Sequence, residues 1–125
     1  MALRQSHCVL AAIAGAALGA VVLGPTVASA TPATPASVAA GEKLAFARDK
    51  GNCLVCHAIE GGEAPGNVGP PLVDMKQRFP DRKELFAIIY DETRRHPQTV
   101  MPPFGRNLIL TKQEINDIID FLYTR

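Results

Sequence analysis

Gly51-Asn52-Cys53-Leu54-Val55-Cys56-His57 is the stretch on which the reading of the whole chain turns. Its C-x-x-C-H core is the attachment signature of a c-type haem: two thiols join the vinyl groups of the porphyrin, and the next residue's imidazole binds the iron. Cysteines three apart, with the histidine immediately following, place both sulfurs on one porphyrin edge and a ring nitrogen beneath its centre. A thioredoxin-like dithiol also uses C-x-x-C, but it needs a βαβ setting, and no strand pattern surrounds this motif. A zinc site needs four ligands; beyond the leader the chain supplies only Cys53, Cys56, His57 and His96, without a second paired motif. The spacing therefore predicts one haem c held covalently by Cys53 and Cys56, with His57 as an iron ligand.

Upstream, Met1–Ala30 reads as a secretory signal peptide: Arg4 in a short n-region, an apolar run from Val9 to Leu23, then Ala28-Ser29-Ala30 as the cleavage site. Cleavage after Ala30 is expected, leaving about 95 residues, room for one small domain. The apolar run is shorter than the ~20 residues a spanning helix needs and is interrupted by Gly24-Pro25, so no membrane span is expected after cleavage. Cys8 lies ahead of that run and leaves with the leader. Export agrees with the motif, because bacteria attach c-type haem outside the cytoplasm, and the expected location is the periplasm. Residues 31–40 are Pro, Thr, Ser, Val and Ala without charge or apolar period; they read as a flexible N-terminal spacer, which places the folded domain at 41–125.

Formal net charge is +1, and without Arg4 the rest of the chain balances 12 basic against 12 acidic residues. That balance offers no electrostatic footprint for nucleic acid or anionic lipid. Both cysteines left after export are committed to the haem, so no disulfide staples this small core. A covalently held haem can take that part, as an apolar centre around which short helices pack.

From about Val38 to Lys50 the pattern is helical, with Leu44, Phe46 and Ala47 as candidate core positions and Gly51 ending it at the haem-binding turn. Residues 60–69 form a Gly-rich loop leading to Gly69-Pro70-Pro71-Leu72. Prolines donate no backbone hydrogen bond, yet their carbonyls remain strong acceptors. Pro70 is thus the predicted acceptor for the free N–H of the His57 ring. Asp81 reads as a helix N-cap with Glu84 as capping-box partner; Leu85, Ile88 and Ile89 recur at helical spacing, Phe86 and Tyr90 broaden the face, and His96-Pro97 stops it. Arg94 and Arg95 fall in its last turn as a solvated helix end. Thr111-Lys112-Gln113-Glu114 is a second capping box, and Ile115, Ile118, Ile119 and Leu122 follow at i, i+3, i+4 and i+7. Burying each of those four side chains contributes about 1.5–3 kcal/mol. No strand signal survives, so the expected fold is all-α, three to four helices around one haem.

Iron bound by His57 needs a sixth ligand, and its identity separates electron transfer from chemistry at the metal. Met75, His96 and Met101 are the candidates. Met75 follows the Gly-Pro-Pro turn and reads as core packing. His96, beside Arg95 and Pro97 at a helix end, reads as a solvated cap and is the alternative ligand. Met101 lies in Thr99-Val100-Met101-Pro102-Pro103-Phe104-Gly105, where flanking prolines restrict the backbone beforehand, so less entropy is lost in holding the thioether against iron. Met101 is therefore favoured, and a site saturated by His57 and Met101 has no position for substrate and passes single electrons. Phe104 is a candidate for the rim where electrons leave, with packing against the porphyrin as the simpler reading.

Together these residues carry a resemblance. The C-x-x-C-H motif, the Gly-Pro-x-Leu turn and the Met-Pro loop ahead of a terminal helix resemble the frame of class I cytochromes c across nearly the whole exported chain. More specifically, Gly51-Asn52-Cys53, Pro65-Gly66-Asn67-Val68-Gly69-Pro70-Pro71-Leu72, Arg78-Phe79-Pro80-Asp81-Arg82, Met101-Pro102-Pro103-Phe104-Gly105, Leu110-Thr111 and Glu114-Ile115 are similar to the SoxX family, monohaem subunits of the sulfur-oxidation SoxAX complex. The resemblance implies a small class I cytochrome c fold and a periplasmic heterodimer with a SoxA-like cytochrome. That complex, an L-cysteine S-thiosulfotransferase, joins thiosulfate oxidatively to a cysteine of the SoxYZ carrier. The SoxX subunit receives the released electrons for a downstream soluble acceptor. Cys53 and Cys56 would hold the haem, with His57 and Met101 as axial ligands, and the cysteine-ligated haem that handles thiosulfate belongs to the partner. The residues also admit a free-standing class I electron carrier, or an open-site haem enzyme or gas sensor.

Overall fold

The computed structural model describes residues 32–125, which form four α-helices: α1 Pro35–Phe46, α2 Met75–Arg78, α3 Arg82–Asp91 and α4 Lys112–Leu122. Short 3-10 turns lie at Cys53–Val55 and Glu92–Arg94, and no strand occurs among the described residues, as expected for an all-α chain. The leader expected over Met1–Ala30, Cys8 included, and Thr31 lie outside the described residues. No described helix is long and apolar enough to cross a membrane.

The best-signalled helix, α4, is also the one on which α1 and α3 pack. Thr111 Oγ1 accepts from Glu114 N at 3.1 Å while Glu114 Oε2 accepts from Thr111 N at 2.7 Å, closing the expected capping box. Ile115, Ile118, Ile119 and Leu122 are all buried. Phe121 is buried as well, edge-to-face with Phe46 of α1 at 5.6 Å between ring centroids. A helix apolar on more than one stripe sits between two neighbours, and α4 packs against both α1 and α3. Lys50 Nζ donates to Glu114 Oε1 at 2.8 Å. That bond, with those from Thr111, holds the Glu114 carboxyl below its usual range.

The spacer expected over residues 31–40 is corrected: helix α1 already begins at Pro35. Thr34 caps it, with Ser37 in the place a Glu usually takes: Ser37 N donates to Thr34 Oγ1 at 3.1 Å and Thr34 N to Ser37 Oγ at 2.9 Å. Pro35 suits the first helical position, where its missing N–H costs nothing. The run of small residues is there because backbones meet. A Cβ added at Gly41 would collide with the carbonyl of Asp117 on α4. The Ser37 hydroxyl also reaches Asp120, which pairs with Arg82 at 2.6 Å, so one buried carboxylate ties α1, α3 and α4 together.

At its other end α1 stops at Phe46 rather than Lys50, with Gly51 N returning to Leu44 O at 3.0 Å. Gly41 and Ala45 are the buried positions of this helix, and Leu44, Phe46 and Ala47 are half-buried. Asn52 then takes a left-handed turn (φ 46°), a conformation asparagine tolerates better than most residues, and redirects the chain into Cys53–Val55.

Two further corrections concern α3. Asp81 caps it through Lys83 N at 2.8 Å, and Glu84 lies beside Arg95 instead of closing a box. The helix ends at Asp91 and tightens into the 3-10 turn at Glu92–Arg94, short of His96-Pro97. Helix α2 carried no sequence signal. It is a single turn whose Met75 is buried and whose Met75 N donates to Arg125 O at 3.1 Å.

Because the α1–α4 contact leaves no space for a side chain, Gly41→Val is expected to cost about 2 kcal/mol or more. Helical circular dichroism of the holoprotein during thermal denaturation checks this; a wild-type midpoint would mean that the two helices do not cross at Gly41.

Candidate functional site

The attachment motif is wound by its own backbone. Cys56 N and His57 N both donate to Cys53 O, at 3.2 and 2.9 Å, and the turn brings Cys53, Cys56 and His57 onto the wall of one cavity of about 630 Å³. Both cysteines are free thiols. Burial pushes the Cys53 thiol up to about 11, so the group is neutral at neutral pH.

His57 Nδ1 lies 2.7 Å from Pro70 O. A carbonyl only accepts, so Nδ1 carries the proton and Nε2 is the nitrogen left for a metal. The proline turn is held where it can do this. Gly69 N donates to Cys56 O at 2.8 Å and Leu72 N to Ala58 O at 2.9 Å. At Gly69 itself any Cβ would run into the imidazole. Arg78 adds a clamp that the sequence reading missed: its Nη1 donates to Pro71 O at 2.8 Å and Val73 O at 3.1 Å. The available signal was a proline turn rich in carbonyls and poor in donors, with an arginine seven residues on.

All three candidates for a second axial ligand line the cavity, in different states. Met75 is buried in the core, its sulfur 3.6 Å from Arg78 Nη1. His96 stands out in solvent, its side chain 68% exposed and 3.5 Å from Glu92 Oε1. Met101 is half-buried, on a loop where its N–H donates to Thr99 Oγ1 at 3.1 Å. The fold thus brings Cys53, Cys56, His57, Pro70 and Met101 to one cavity from three separate stretches of chain. Of the two readings of Phe104, packing is the one the fold favours: its side chain is buried in the wall, and the exposed large apolar side chains that line the cavity are Val55, Val68 and Val100.

The lining suits a porphyrin. Leu72, Leu85, Ile89, Phe104, Ile118 and Leu122 make apolar walls, and the charged residues of the lining are four cations, Arg48, Lys50, Arg78 and Arg95, and a single carboxylate, Glu92. Apolar walls with an excess of cations match a flat apolar ring that bears carboxylate side groups.

A family model for cytochrome c matches residues 38–125. The chain belongs to the cytochrome c family. A cytochrome c carries covalently bound haem c and transfers electrons, and the paired cysteines stand in position for it. The chain is similar to the crystal structure of SoxXA from P. pantotrophus, with a TM-score of 0.62 and 26% identity over 75% of this chain and 82% of that one. It is also 36% identical, over 75 residues, to an uncharacterized lipoprotein of Aquifex aeolicus (strain VF5). That match takes in 59% of this cytochrome and only 36% of the lipoprotein's length.

Gly69→Ala is expected to push the His57 ring off Pro70 and to leave most of the protein without haem. Haem per polypeptide, from the pyridine haemochrome spectrum, is the readout; a wild-type ratio would mean that the ring does not depend on this turn.

Proposed function

We propose that this cytochrome is the electron-accepting haem subunit of a periplasmic thiosulfate-oxidising complex of the SoxAX kind, working beside a SoxA-like partner. The observation that carries the reading is an imidazole pinned at 2.7 Å by Pro70 in the same cavity as the Met101 thioether. Similarity to SoxXA supports the choice of complex.

In this reading Cys53 and Cys56 would hold one haem by thioether bonds, and His57 and Met101 would be the residues that bind its iron. Bound there, haem supplies reversible one-electron exchange at iron. Pro70 keeps the His57 ring in one tautomer and orientation, with Nε2 left for the iron. The soft thioether of Met101 favours ferrous iron and leaves no position for substrate. The apolar walls keep water out, while Arg48, Lys50, Arg78 and Arg95 offset anionic groups at the cavity edge.

The reaction served is the joining of thiosulfate to a carrier thiol on SoxYZ. A sulfur–sulfur bond forms, the thiol loses its proton, and two electrons leave. A single-electron subunit takes these one at a time from its partner and passes them to a soluble acceptor. Val55, Val68 and Val100, exposed where they line the cavity, suit an apolar contact with a permanent partner. The expected signal peptide supports a periplasmic location.

Met101→Ala should abolish the weak near-infrared charge-transfer band of the ferric Fe–S(Met) bond; a band that persists removes Met101 as ligand. Purified from cells grown on thiosulfate, the protein should bring down a second c-type cytochrome in equal amount, whereas a lone monomer would make it a free-standing carrier.

A further inference from the structure

The loop that carries Met101 is closed at its base by three side chains. Asp91, the last residue of α3, is only 5% exposed. Its carboxylate accepts from the Thr93 hydroxyl and, at 3.0 Å, from Arg106 Nη1, which also reaches Thr93 Oγ1 at 3.0 Å. The backbone closes at the same place, where Gly105 N and Arg106 N donate to Tyr90 O at 3.1 and 3.2 Å.

Between these anchors Met101 packs against the buried core, and hydrogen bonds add little to hold the loop. Thr99 N donates to His96 O and Met101 N to Thr99 Oγ1, both local bonds, and none of the described hydrogen bonds ties residues 97–103 to a helix. The hydrogen bond from Thr93 and the neighbouring Arg106 charge hold the Asp91 carboxyl below its usual range, so the cluster is charged at neutral pH. Removing Arg106 would strand a buried carboxylate, which favours opening of the loop over keeping it shut.

We propose that Asp91, Thr93 and Arg106 act together as a positioning lock for Met101, setting how readily its thioether gives way to an exogenous ligand. The proposal rests on the reading of Met101 as the sixth ligand. A competing ligand must wait for the loop to open, so its apparent affinity is its intrinsic affinity scaled by the open fraction. Anything that weakens the base of the loop raises that fraction without touching the iron ligands.

The test is titration of the ferric holoprotein with imidazole, following loss of the near-infrared charge-transfer band. Arg106→Leu and Thr93→Val should each bind imidazole about tenfold more tightly than wild type, the worth of one well-made hydrogen bond. Arg106→Lys, which keeps the charge, should restore most of the wild-type affinity. Glu114→Gln weakens the α4 cap, far from this loop in the chain, and should leave the affinity unchanged. Wild-type affinity in both Arg106→Leu and Thr93→Val overturns the lock while Met101 ligation stands. An equal rise in Glu114→Gln overturns it too, as a general loosening of the fold. A wild-type ferric protein without the band overturns Met101 ligation and the lock together.

Discussion

A carbonyl oxygen accepts hydrogen bonds and donates none, and at Pro70 that asymmetry decides the chemistry of His57. With the imidazole proton held at Nδ1, 2.7 Å from Pro70 O, only Nε2 remains for a metal. The rest of the site is arranged to keep this single contact in place. The 3-10 turn at Cys53–Val55 presents the ring, Gly69 lets the proline turn press against it, and Arg78 holds the next carbonyls so that the turn does not drift. Since the proline nitrogens donate nothing themselves, the donors had to come from elsewhere in the chain.

The helices serve this arrangement from behind. Helix α4 lies between α1 and α3, and its buried isoleucines, with Phe121 against Phe46, join the segment that leads into the attachment motif to the one that leads into the Met101 loop. Asp120, bonded by Ser37 and Arg82, ties the same three helices on their polar side. A truncation there would leave a buried charge unpaired, a costlier loss than that of a surface ion pair. The two candidate iron ligands thus stand on a turn and a loop, and the packed helices behind them fix where those segments begin and end.

Local chemistry was legible in the sequence, and contact between distant parts was not. C-x-x-C-H could be read because covalent attachment constrains neighbouring residues, and the Thr111–Glu114 box because a cap is built within one turn. Pro70 could be read from what proline lacks. Helix α1 was placed too late because residues 35–40 pack by close backbone approach at Gly41, and small residues at such a contact leave no apolar period. Helix α2 was missed because one turn is too short for periodicity and its backbone partner is the far end of the chain, Arg125. Arg78 and the Asp91–Arg106 pair lay hidden for the same reason, since nothing local distinguishes a charged residue that has a buried partner from one that is solvated. Phe104 lies three residues from Met101 in sequence, yet the loop turns its ring into the core.

What matters most is the proposal that one imidazole and one thioether meet at the same iron. Iron K-edge X-ray absorption of the ferric holoprotein reads this directly, because sulfur and nitrogen scatter distinguishably in the first coordination shell. A shell of nitrogens with a single sulfur, the sulfur lost in Met101→Ala, is the result expected from His57 and Met101. A shell of nitrogen and oxygen alone in the wild type would contradict it, and the cavity would then hold an open or a bis-histidine iron.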